Sequence, residues 1–353
     1  MEDRVAVDNP GKVTIIDVAR AAGVSIATVS HVLNGTKTVS EDLRQRVHVA
    51  VTGLDYRPSH HARSLRRKRS ATVGVLLSGM ANKPINQLLK GIVDTLTARG
   101  NSTLIADSEG SSDREAKEMD RFLHRSVDGC IIEPVGGPAA GLAGLAGRIP
   151  CVVVGDQIEG SHVTAVVPDL RTGITEASLW ALRRDPRTAF VASHVDTAQR
   201  QDAFAGYLDA ARQAGINLQP DLICTEPPTP EGGHKAVLRL AQLDPPVTAV
   251  IVSHALMTVG AIRMWQDLPG RDRMSLVGID AGAWYGALHA GVGMVAIPSY
   301  EMGATAVELL GSSGMGDQGQ VVKVATTFLP SEDRNMGVAA NADLPAVGRV
   351  SAG

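Results

Sequence analysis

Between residues 14 and 34, apolar residues recur at the three- and four-residue spacing of amphipathic helices. This pattern predicts two short helices that bury the following residues: Ile15, Val18 and Ala19 in the first, and Val29, Val32 and Leu33 in the second. A third helix is predicted from Ser40 to about Gly53, with Val47 and Val51 as core positions. The start of the chain is therefore expected to form a small all-helical unit.

Polar residues and glycine set the ends of the first two helices. Thr14 followed by Asp17 has the spacing of a capping box, Gly23 permits a tight turn, and Ser25 can cap the second helix. The outer face of the second helix is then expected to carry Ile26, Ala27, Ser30 and His31. A helix presented in this way can enter the major groove of DNA, although small three-helix units also bind proteins. The helical pattern by itself leaves both interpretations open.

From Thr72 onward, apolar runs rich in β-branched residues alternate with helical stretches, as is typical of parallel sheets with crossover helices. The predicted strands are Val73–Ser78, Thr103–Asp107, Gly129–Glu133, Cys151–Gly155, Ala189–Ser193, Leu222–Thr225, Ala249–Ser253 and Leu276–Asp280. The predicted helices include Pro84–Arg99, Arg114–Arg125, Arg171–Arg183, Thr197–Ala214, Gly232–Gln242 and Leu256–Gln266. Because strand–helix units occur on both sides of about residue 184, we expect two similar α/β lobes. Ligands bind such folds at the carboxyl ends of strands, so the expected site is a cleft between the lobes.

Length and composition fit this architecture. A chain of 353 residues suits two or three folded units, and 44% hydrophobic with 20% charged residues is typical of a globular protein. The sequence has no run of about 18 apolar residues, and its acidic, polar start does not resemble a secretory signal. We therefore expect a cytoplasmic protein with no membrane partner. Cys130, Cys151 and Cys224 lie in apolar runs without CxxC spacing, which favours buried thiols over a redox or metal role.

The net charge of −3 conceals an uneven distribution. Residues 1–70 contain 12 basic and 7 acidic residues, a net charge of +5, whereas residues 71–353 contain 22 basic and 30 acidic residues, a net charge of −8. Between Arg57 and Arg69 the chain has six basic residues and no acidic residue. A basic front on an acidic body suggests contact with a polyanion at the front, although a solvated linker explains the charge run equally well.

Residues Thr14 to Leu65 resemble the DNA-binding region of the lactose-repressor (LacI/GalR) family. They match its pattern T-I-x-D-V-A-x-x-A-G-V-S-x-x-T-V-S-x-V-L-N and continue through Val39-Ser40-Glu41, Tyr56-Arg57-Pro58 and Ala62-Arg63-Ser64-Leu65. The resemblance implies that Ile26, Ala27 and His31 set operator preference. The full set of DNA-binding candidates is Thr14, Ser25, Ile26, Ala27, Thr28, Ser30, His31, Asn34, Tyr56, Arg57, Ser59, His60, Arg63 and Leu65.

The segment from Ser59 to Arg67 corresponds to the hinge helix of that family. Pro58 ends the preceding structure and Ser59 can cap a new helix, but this helix is too short and too cationic to be stable alone in water. By resemblance, two hinge helices pair in a dimer and insert Leu65 into the minor groove, kinking the DNA. The alternative is that Leu65 is an exposed leucine in a linker. His60 is either a pH-dependent phosphate contact or a solvated side chain.

The resemblance extends to the body, which is similar to type I periplasmic-binding-protein-like effector domains in fragments such as Val166-Val167-Pro168-Asp169 and Val277-Gly278-Ile279-Asp280. It implies three crossings between lobes, near residues 183, 297 and 327. The expected domains are a headpiece (1–58), a hinge helix and linker (59–70), an effector-binding and dimerisation domain (71–340) and a flexible tail (341–353). Within the effector domain, the first lobe is expected over about 72–183 and 299–326, and the second over about 184–297 and 327–340.

The cleft positions depart from the family pattern. Ile85-Asn86 replaces a usual phenylalanine pair, Asp169-Leu170 a usual Asp-Asn, and His254-Ala255 a usual Asn-Asp. Arg200 matches an effector-clamping arginine, and Arg200 with Asp280 could either fix a polar ligand or form an interlobe salt bridge. The loss of both phenylalanines argues against an ordinary sugar, so the effector is a different small molecule or none. The candidate effector-binding residues are Ile85, Asn86, Asp156, Asp169, Arg200, His254 and Asp280.

Other protein classes fit less well. The chain has no GxSxG, GxxxxGK[ST] or HExxH motif, so we expect no catalysis, cofactor or metal. A secreted solute-binding protein would need a signal sequence and would lack the headpiece. The sequence thus predicts an effector-responsive repressor that binds a near-palindromic DNA operator as a homodimer or tetramer. The alternative is a regulator that has lost its small-molecule response and is controlled by a protein partner or by its abundance.

Overall fold

The computed structural model describes residues 13–34, 37–56, 70–80, 86–136, 139–195, 197–279, 291–312 and 319–331. The chain divides into two compact units, residues 1–70 and residues 71–353. Most of the predicted hinge and all of the predicted C-terminal tail lie outside the described residues.

The first unit, here called the headpiece, contains three helices. They are α1 (Ile15–Ala22), α2 (Ile26–Asn34) and α3 (Glu41–Gly53). Val18, Val29 and Val47, one from each helix, are fully buried at the centre of the unit. The prediction for α3 needs one correction, because Ala50 takes the second buried position and Val51 is only partly buried against the core.

The ends of α1 follow the predicted chemistry. The Thr14 Oγ1 accepts a hydrogen bond from the Asp17 N–H, and the Asp17 carboxylate accepts one from the Thr14 N–H at 2.9 Å. This reciprocal pair is a capping box, which satisfies amide groups that have no partner inside the helix. At the other end, Gly23 has a φ of 62°, in the left-handed region that glycine adopts without steric cost. The chain therefore turns sharply from α1 into α2.

The first lobe of the second unit is a six-stranded parallel sheet. Its strands are β1 (Thr72–Leu77), β2 (Ser102–Asp107), β3 (Gly129–Ile132), β4 (Cys151–Val154), β5 (Thr164–Asp169) and β11 (Val321–Ala325), in the order β11-β5-β4-β3-β1-β2. One face is covered by α4 (Asn86–Ala98) and α11 (Ser299–Ser312), and the other by α5 (Ser112–His124) and α6 (Ala139–Ala146). Helices on both faces explain why the strands read as continuous apolar runs.

The second lobe repeats this plan. Its sheet has the order β12-β10-β9-β8-β6-β7, in which β12 alone runs antiparallel to its neighbour. The strands are β6 (Thr188–Ser193), β7 (Ile223–Glu226), β8 (Ala249–Val252), β9 (Ser275–Ile279), β10 (Val292–Ala296) and β12 (Thr327–Leu329). One face packs against α7 (Leu170–Leu182) and α8 (Ala198–Ala214), and the other against α9 (Pro230–Ala241) and α10 (Ala255–Asp267). The helical headpiece followed by a two-lobed α/β domain confirms the predicted fold class.

The first crossing between lobes differs from the prediction near residue 183. Helix α7 follows β5 of the first lobe, yet Leu170, Ile174 and Ala177 are buried in one cluster with Phe190 and Tyr207 of the second lobe. The chain therefore crosses between Asp169 and Leu170, and α7 belongs to the second lobe. The later crossings leave α11 and β11 in the first lobe and β12 in the second.

Two helices of the second lobe cross at glycines. A Cβ atom added at Gly260 of α10 would overlap the Pro230 carbonyl oxygen of α9, and one added at Gly233 of α9 would overlap the Met257 carbonyl oxygen of α10. Because glycine has no side chain, the two backbones approach more closely than any other residue would allow. This contact holds α9 and α10 against the same face of the sheet.

Candidate nucleic-acid interface and interlobe cleft

Helix α2 begins with a local cap. The Ser25 Oγ accepts a hydrogen bond from the Thr28 N–H at 3.1 Å and lies 2.9 Å from the Thr28 Oγ1. The cap satisfies one of the free amides at the start of the helix. Both hydroxyls, proposed from the sequence as DNA contacts, are therefore already part of the structure that presents α2.

The first turn of α2 faces solvent. Ile26 is 45% exposed and Ala27 is also exposed. Val29, which points from the same helix into the headpiece core, is fully buried. His31, one turn further along, is half-buried. The apolar surface at the start of α2 is therefore available for contact, as a helix that enters a DNA groove requires.

Ser30 corrects the predicted outer face. Its exposed fraction is 9%, so it is buried within the headpiece and not presented to solvent. From the sequence, Ser30 was expected on the outer face of α2, whereas the packing of the headpiece helices buries it. Ser30 is therefore less accessible to DNA than Ile26 and Ala27.

The remaining headpiece candidates are spread over the unit. Thr14 is exposed at the N-terminus of α1 and belongs to the capping box, whereas Tyr56 is half-buried and packs against the hydrophobic core. Asn34 is the last residue of α2. The other candidates lie outside the described residues: Arg57, Ser59, His60, Arg63 and Leu65.

Two features of the headpiece were not predicted. Ile16 on α1 is 52% exposed, although it lies within an apolar run. Arg46 on α3 donates hydrogen bonds to the Ala22 carbonyl oxygen from Nε at 3.1 Å and from Nη2 at 2.7 Å. Arg46 thereby caps the C-terminus of α1 and fixes the turn that precedes α2. The contact joins residues 24 positions apart, so no local sequence pattern indicates it.

The two lobes of the second unit meet at Asp156. This carboxylate lies in the first lobe, after β4, and faces Thr197 and Gln199 at the start of α8 in the second lobe. Next to it, the Gln199 Nε2 donates a hydrogen bond to the Gly155 carbonyl oxygen. Thr197 also caps α8, so the carboxylate lies at a helix N-terminus, where the helix dipole favours negative charge.

Burial raises the pKa of the Asp156 carboxyl above its usual value, and the negative charge of Asp202 acts in the same direction. Hydrogen bonds from Gln157, Gln199 and Thr197 oppose this shift without cancelling it. A second interlobe contact lies close by, because Lys323 Nζ of β11 is 2.5 Å from Asp202 Oδ2 of α8. Asp156 was predicted as a cleft residue, whereas the Lys323–Asp202 pair was not.

The other predicted effector positions do not all reach one point. Arg200 lies in the first turn of α8, and its Nε donates to the Ser193 carbonyl oxygen at 2.8 Å. Asp169 caps α7, and both of its carboxylate oxygens accept hydrogen bonds from Thr172. His254 is half-buried at the start of α10, and Asn86 is exposed at the start of α4. Ile85 and Asp280 lie outside the described residues, and with them the predicted Arg200–Asp280 pair.

A separate cavity of about 250 Å³ lies within the first lobe, between α5, α6 and the segment after β4. Glu115 lines it, and its Oε2 accepts a hydrogen bond from the Val135 N–H at 2.7 Å. Its apolar wall is formed by Met119, Ile132, Pro134, Leu142 and Ile158. The lining includes none of the described effector candidates.

Within the described residues, no single helix is long and apolar enough to cross a membrane. Helices α1 and α2 pass that test only when they are taken together, and they are bent by 102° at the turn between them. The described part of the chain also contains no cluster of three or more His, Cys, Asp and Glu side chains that could hold a metal ion.

The exposed first turn of α2 in a helical headpiece, together with the two-lobed α/β domain, defines a DNA-binding regulator built on a periplasmic-binding-protein-like body. Comparison of the sequence with known families agrees. Residues 14–59 match the family described as bacterial regulatory proteins of the lacI family, and residues 70–313 match the periplasmic binding proteins and sugar binding domain of the LacI family. The chain belongs to the LacI family of DNA-binding transcriptional regulators.

Two bacterial regulatory proteins are similar in sequence to this chain over most of its length. The HTH-type transcriptional regulator GalR of Escherichia coli (strain K12) is 27% identical over 324 residues, which cover 90% of this chain and 93% of GalR. Catabolite control protein A of Staphylococcus xylosus is 28% identical over 304 residues, covering 84% and 91%. These names and the family membership confirm the expectation that the chain is not an enzyme.

Solved structures share the fold. The lac repressor dimer bound to operator and the anti-inducer ONPF superimposes with a TM-score of 0.76 at 22% identity, covering 90% of this chain and 98% of that one. A complex of the transcriptional regulator CelR with cellobiose gives a TM-score of 0.66 at 23% identity, covering 91% and 100%. At these identities the likeness concerns the architecture of the headpiece and lobes.

Proposed function

We propose that this regulator is an effector-responsive repressor that binds a near-palindromic operator as a dimer, with α2 of each subunit in the major groove. The observation that carries the proposal is the exposed first turn of α2, where Ile26 and Ala27 face solvent above a fully buried Val29. A rigid core beneath an exposed helix start is the arrangement by which helix-turn-helix proteins read base edges.

Within this proposal the exposed residues have distinct roles. Ile26 and Ala27 contact thymine methyl groups, and His31 hydrogen-bonds a purine. Thr14, at the N-terminus of α1, faces a phosphate. Ser25 and Thr28 orient the backbone amides at the start of α2, and these amides face a second phosphate. Asn34 and Tyr56 complete the set at the edge of the headpiece. Ser30 acts only as part of the core, because it is buried.

The segment that follows Tyr56 supplies the second part of the proposed interface. Arg57, His60 and Arg63 contact phosphates, Ser59 caps the hinge helix, and Leu65 of each subunit enters the minor groove at the centre of the operator. Support comes from the basic composition of residues 57–69 and from the match of residues 14–59 to the family. Such a dimer on bacterial DNA is a cytoplasmic protein. A tetramer built from two such dimers remains compatible with this arrangement.

We further propose that a small molecule binds between the lobes and changes the spacing of the two hinges. Asp156 and Arg200, on facing lobes, are the polar groups proposed to hold it, with Ile85, Asn86, His254 and Asp280 around them. Differential affinity for two lobe arrangements would then change operator affinity. Asp169 is the weakest of the candidates, because Thr172 already engages its carboxylate.

A second candidate function is a regulator without a small-molecule effector. It is favoured by the direct contacts between the lobes, in which the Gln199 Nε2 donates a hydrogen bond to the Gly155 carbonyl oxygen and Lys323 pairs with Asp202. In that case the lobes form a fixed body, and operator binding depends on the abundance of the protein or on a protein partner.

Operator selection from random DNA with the full chain tests the DNA-binding proposal. A near-palindromic consensus is expected, and its affinity should fall steeply with salt because phosphate contacts release counterions. The matched variants are Ile26→Ala and Ile16→Ala, since both isoleucines are about equally exposed. Ile26→Ala should weaken operator binding on the order of 10-fold and relax the preference at one base pair. If Ile16→Ala has the larger effect, the assignment of α2 as the reading helix is wrong.

Leu65→Ala tests the proposed hinge contact. It should reduce operator bending, measured by energy transfer between dyes at the two DNA ends, and lower specific affinity more than non-specific affinity. Unchanged bending would refute the insertion of Leu65.

Thermal-shift measurements with sugars, sugar phosphates, nucleobases and organic acids test the effector proposal. A ligand that raises the unfolding temperature should do so less in Arg200→Ala than in the parent chain. If no compound shifts the parent protein, and operator affinity does not change with any of them, the second candidate function is supported.

A further inference from the structure

Two of the three cysteines lie side by side in the first lobe. Cys130 on β3 and Cys151 on β4 are direct partners in the parallel pairing of these strands. Their sulfur atoms are 3.0 Å apart, and both side chains are buried in the same hydrophobic cluster. They therefore point to the same face of the sheet and touch each other.

The geometry of the strand pair suits a covalent bond between the two residues. Neighbouring strands run about 4.8 Å apart, and disulfides form between residues whose Cα atoms are roughly 4.4–6.8 Å apart. To reach a disulfide length of about 2.05 Å, the two sulfurs have to approach by about 1 Å. Side-chain rotation can supply most of this approach, because the strands already hold the two Cα atoms within range.

We propose that Cys130 and Cys151 are a redox modification site that a peroxide converts into an intramolecular disulfide. In the first step Cys151 gives up its thiol proton and its sulfur attacks one peroxide oxygen. The O–O bond breaks, Cys151 becomes a sulfenic acid, and the departing hydroxide takes up that proton to form the first water molecule. In the second step the Cys130 sulfur attacks the Cys151 sulfur, the S–O bond breaks, and a second water molecule forms with the proton of Cys130. The two thiols are oxidised by two electrons, and the peroxide is reduced to two water molecules.

The surroundings of the two sulfurs set the order of these steps. Cys151 retains a 6% exposed fraction, whereas Cys130 has none. Burial and the adjacent Cys151 raise the pKa of the Cys130 thiol well above its usual value, so Cys130 remains a thiol at neutral pH. Cys151 is accordingly the residue that meets the oxidant, and Cys130 is the residue that resolves the sulfenic acid. A small oxidant such as hydrogen peroxide is required, because larger disulfides cannot reach either sulfur in the packed sheet.

The third cysteine provides an internal control. Cys224 lies on β7 of the second lobe, is fully buried, and has Arg239 Nη1 at 3.7 Å from its sulfur. It shares the burial of Cys130 but has no cysteine on a neighbouring strand position, since its register partner on β6 is Val191. If the Cys130–Cys151 pair is oxidised and Cys224 is not, the difference therefore reflects the contact between two cysteines and not burial alone.

The test is oxidation of the full chain with hydrogen peroxide, followed by denaturation, alkylation of remaining thiols and intact mass measurement. We expect a loss of about 2 Da, a single alkylated residue at Cys224, and a Cys130–Cys151 linked peptide after non-reducing digestion. Dithiothreitol should restore all three thiols. Cys224→Ser should form the same link, and Cys130→Ser should not.

Two results would overturn the proposal. One is three alkylated cysteines after peroxide treatment that measurably oxidises exposed methionines of the same sample. The other is a gain of about 32 Da on Cys151, which is the mass of the two oxygen atoms added when a thiol becomes a sulfinic acid, with Cys130 still alkylated. Peptide mapping of the parent chain decides between these outcomes even if Cys130→Ser does not fold.

Discussion

Arg46 of α3 donates two hydrogen bonds to the carbonyl oxygen of Ala22 at the end of α1, from Nε at 3.1 Å and from Nη2 at 2.7 Å. Nη2 also donates to the Gly23 carbonyl oxygen at 3.1 Å. Carbonyl groups at a helix C-terminus have no partner inside the helix and carry partial negative charge, so a guanidinium is a favourable partner. One side chain of α3 therefore fixes the angle at which α2 leaves α1.

Arg46→Met is expected to destabilise the headpiece, because the Ala22 and Gly23 carbonyl groups lose a charged donor. Since Arg46 remains partly exposed, the expected cost is about 1 kcal/mol and not the larger value of a buried pair. Amide exchange of residues 15–34 in the full chain measures this cost as a protection loss of roughly 5- to 10-fold. The control is Arg44→Met, on the same helix, whose guanidinium lies 3.8 Å from the Glu41 carboxylate. Equal losses in the two variants would contradict the capping role.

Gly23→Ala is expected to strain the same turn in two ways. Its φ of 62° costs a non-glycine residue about 1 kcal/mol, and the added methyl group would lie 2.7 Å from Arg46 Nη2. The same amide-exchange measurement should show lower protection of α1 and α2. Gly53→Ala is the matched control, because nothing lies within 4 Å of its added Cβ. In an Arg46→Met background the effect of Gly23→Ala should shrink, since only the backbone strain is left; full additivity would argue against contact between the two residues.

The sequence predicted most secondary structure because the burial pattern of each element is local. The apolar runs of β1, β3 and β4 are buried on both faces, so their composition alone indicates strands. Strand β5 was not predicted. It contains Pro168, a residue that is rare in central strands, and it lies between β4 and β11. Strand β11 is an edge strand with alternating exposure, which gives no continuous apolar run.

The tertiary contacts between helices and strands could not be predicted from local sequence patterns. Helix α7 has an apolar face, but only its packing against Phe190 and Tyr207 reveals that it belongs to the second lobe. The capping of α1 by Thr14 was predictable from spacing, whereas its capping by Arg46 depends on the tertiary fold. Ser30 was likewise expected on the outer face of α2, but its burial is set by the neighbouring helices.

Gly260→Ala is expected to destabilise the second lobe strongly. A Cβ atom there would overlap the Pro230 carbonyl oxygen, which is backbone and cannot move away as a flexible side chain would. Separating α9 from α10 should cost about 3 kcal/mol, at the upper end for overpacking. Urea unfolding followed by tryptophan fluorescence reports it, because Trp265 lies on α10. Gly144→Ala in α6 is the control; nothing lies within 4 Å of its added Cβ, so it should be neutral or stabilising by up to about 1 kcal/mol. Similar losses in both variants would show that the close approach of α9 and α10 at Gly260 is not the cause of the destabilisation.

Asp156→Asn is expected to change the pH dependence of stability in a defined direction. Burial raises the pKa of the Asp156 carboxyl above its usual 3.8, so the folded protein holds this proton over a range where the unfolded chain has lost it. The contribution of this group to stability is therefore fully present below pH 3.8 and is lost as the pH rises through its folded pKa. Asparagine does not titrate, so the unfolding temperature of Asp156→Asn should rise relative to the parent chain as the pH increases.

The opposite slope is expected at Asp94, which provides the control for the same experiment. A hydrogen bond from Lys90 lowers the pKa of the Asp94 carboxyl, and Tyr300 adds a second hydrogen bond. Its contribution is present above pH 3.8 and is lost as the pH falls through the lowered value, so Asp94→Asn should be least harmful at the acidic end. Unfolding temperatures of both variants and the parent, measured from about pH 2 to pH 7, separate the two cases. A difference between Asp156→Asn and the parent that is flat or falls with pH would mean that the Asp156 carboxyl is not desolvated between the lobes. The Asp156 carboxyl would then be in contact with solvent.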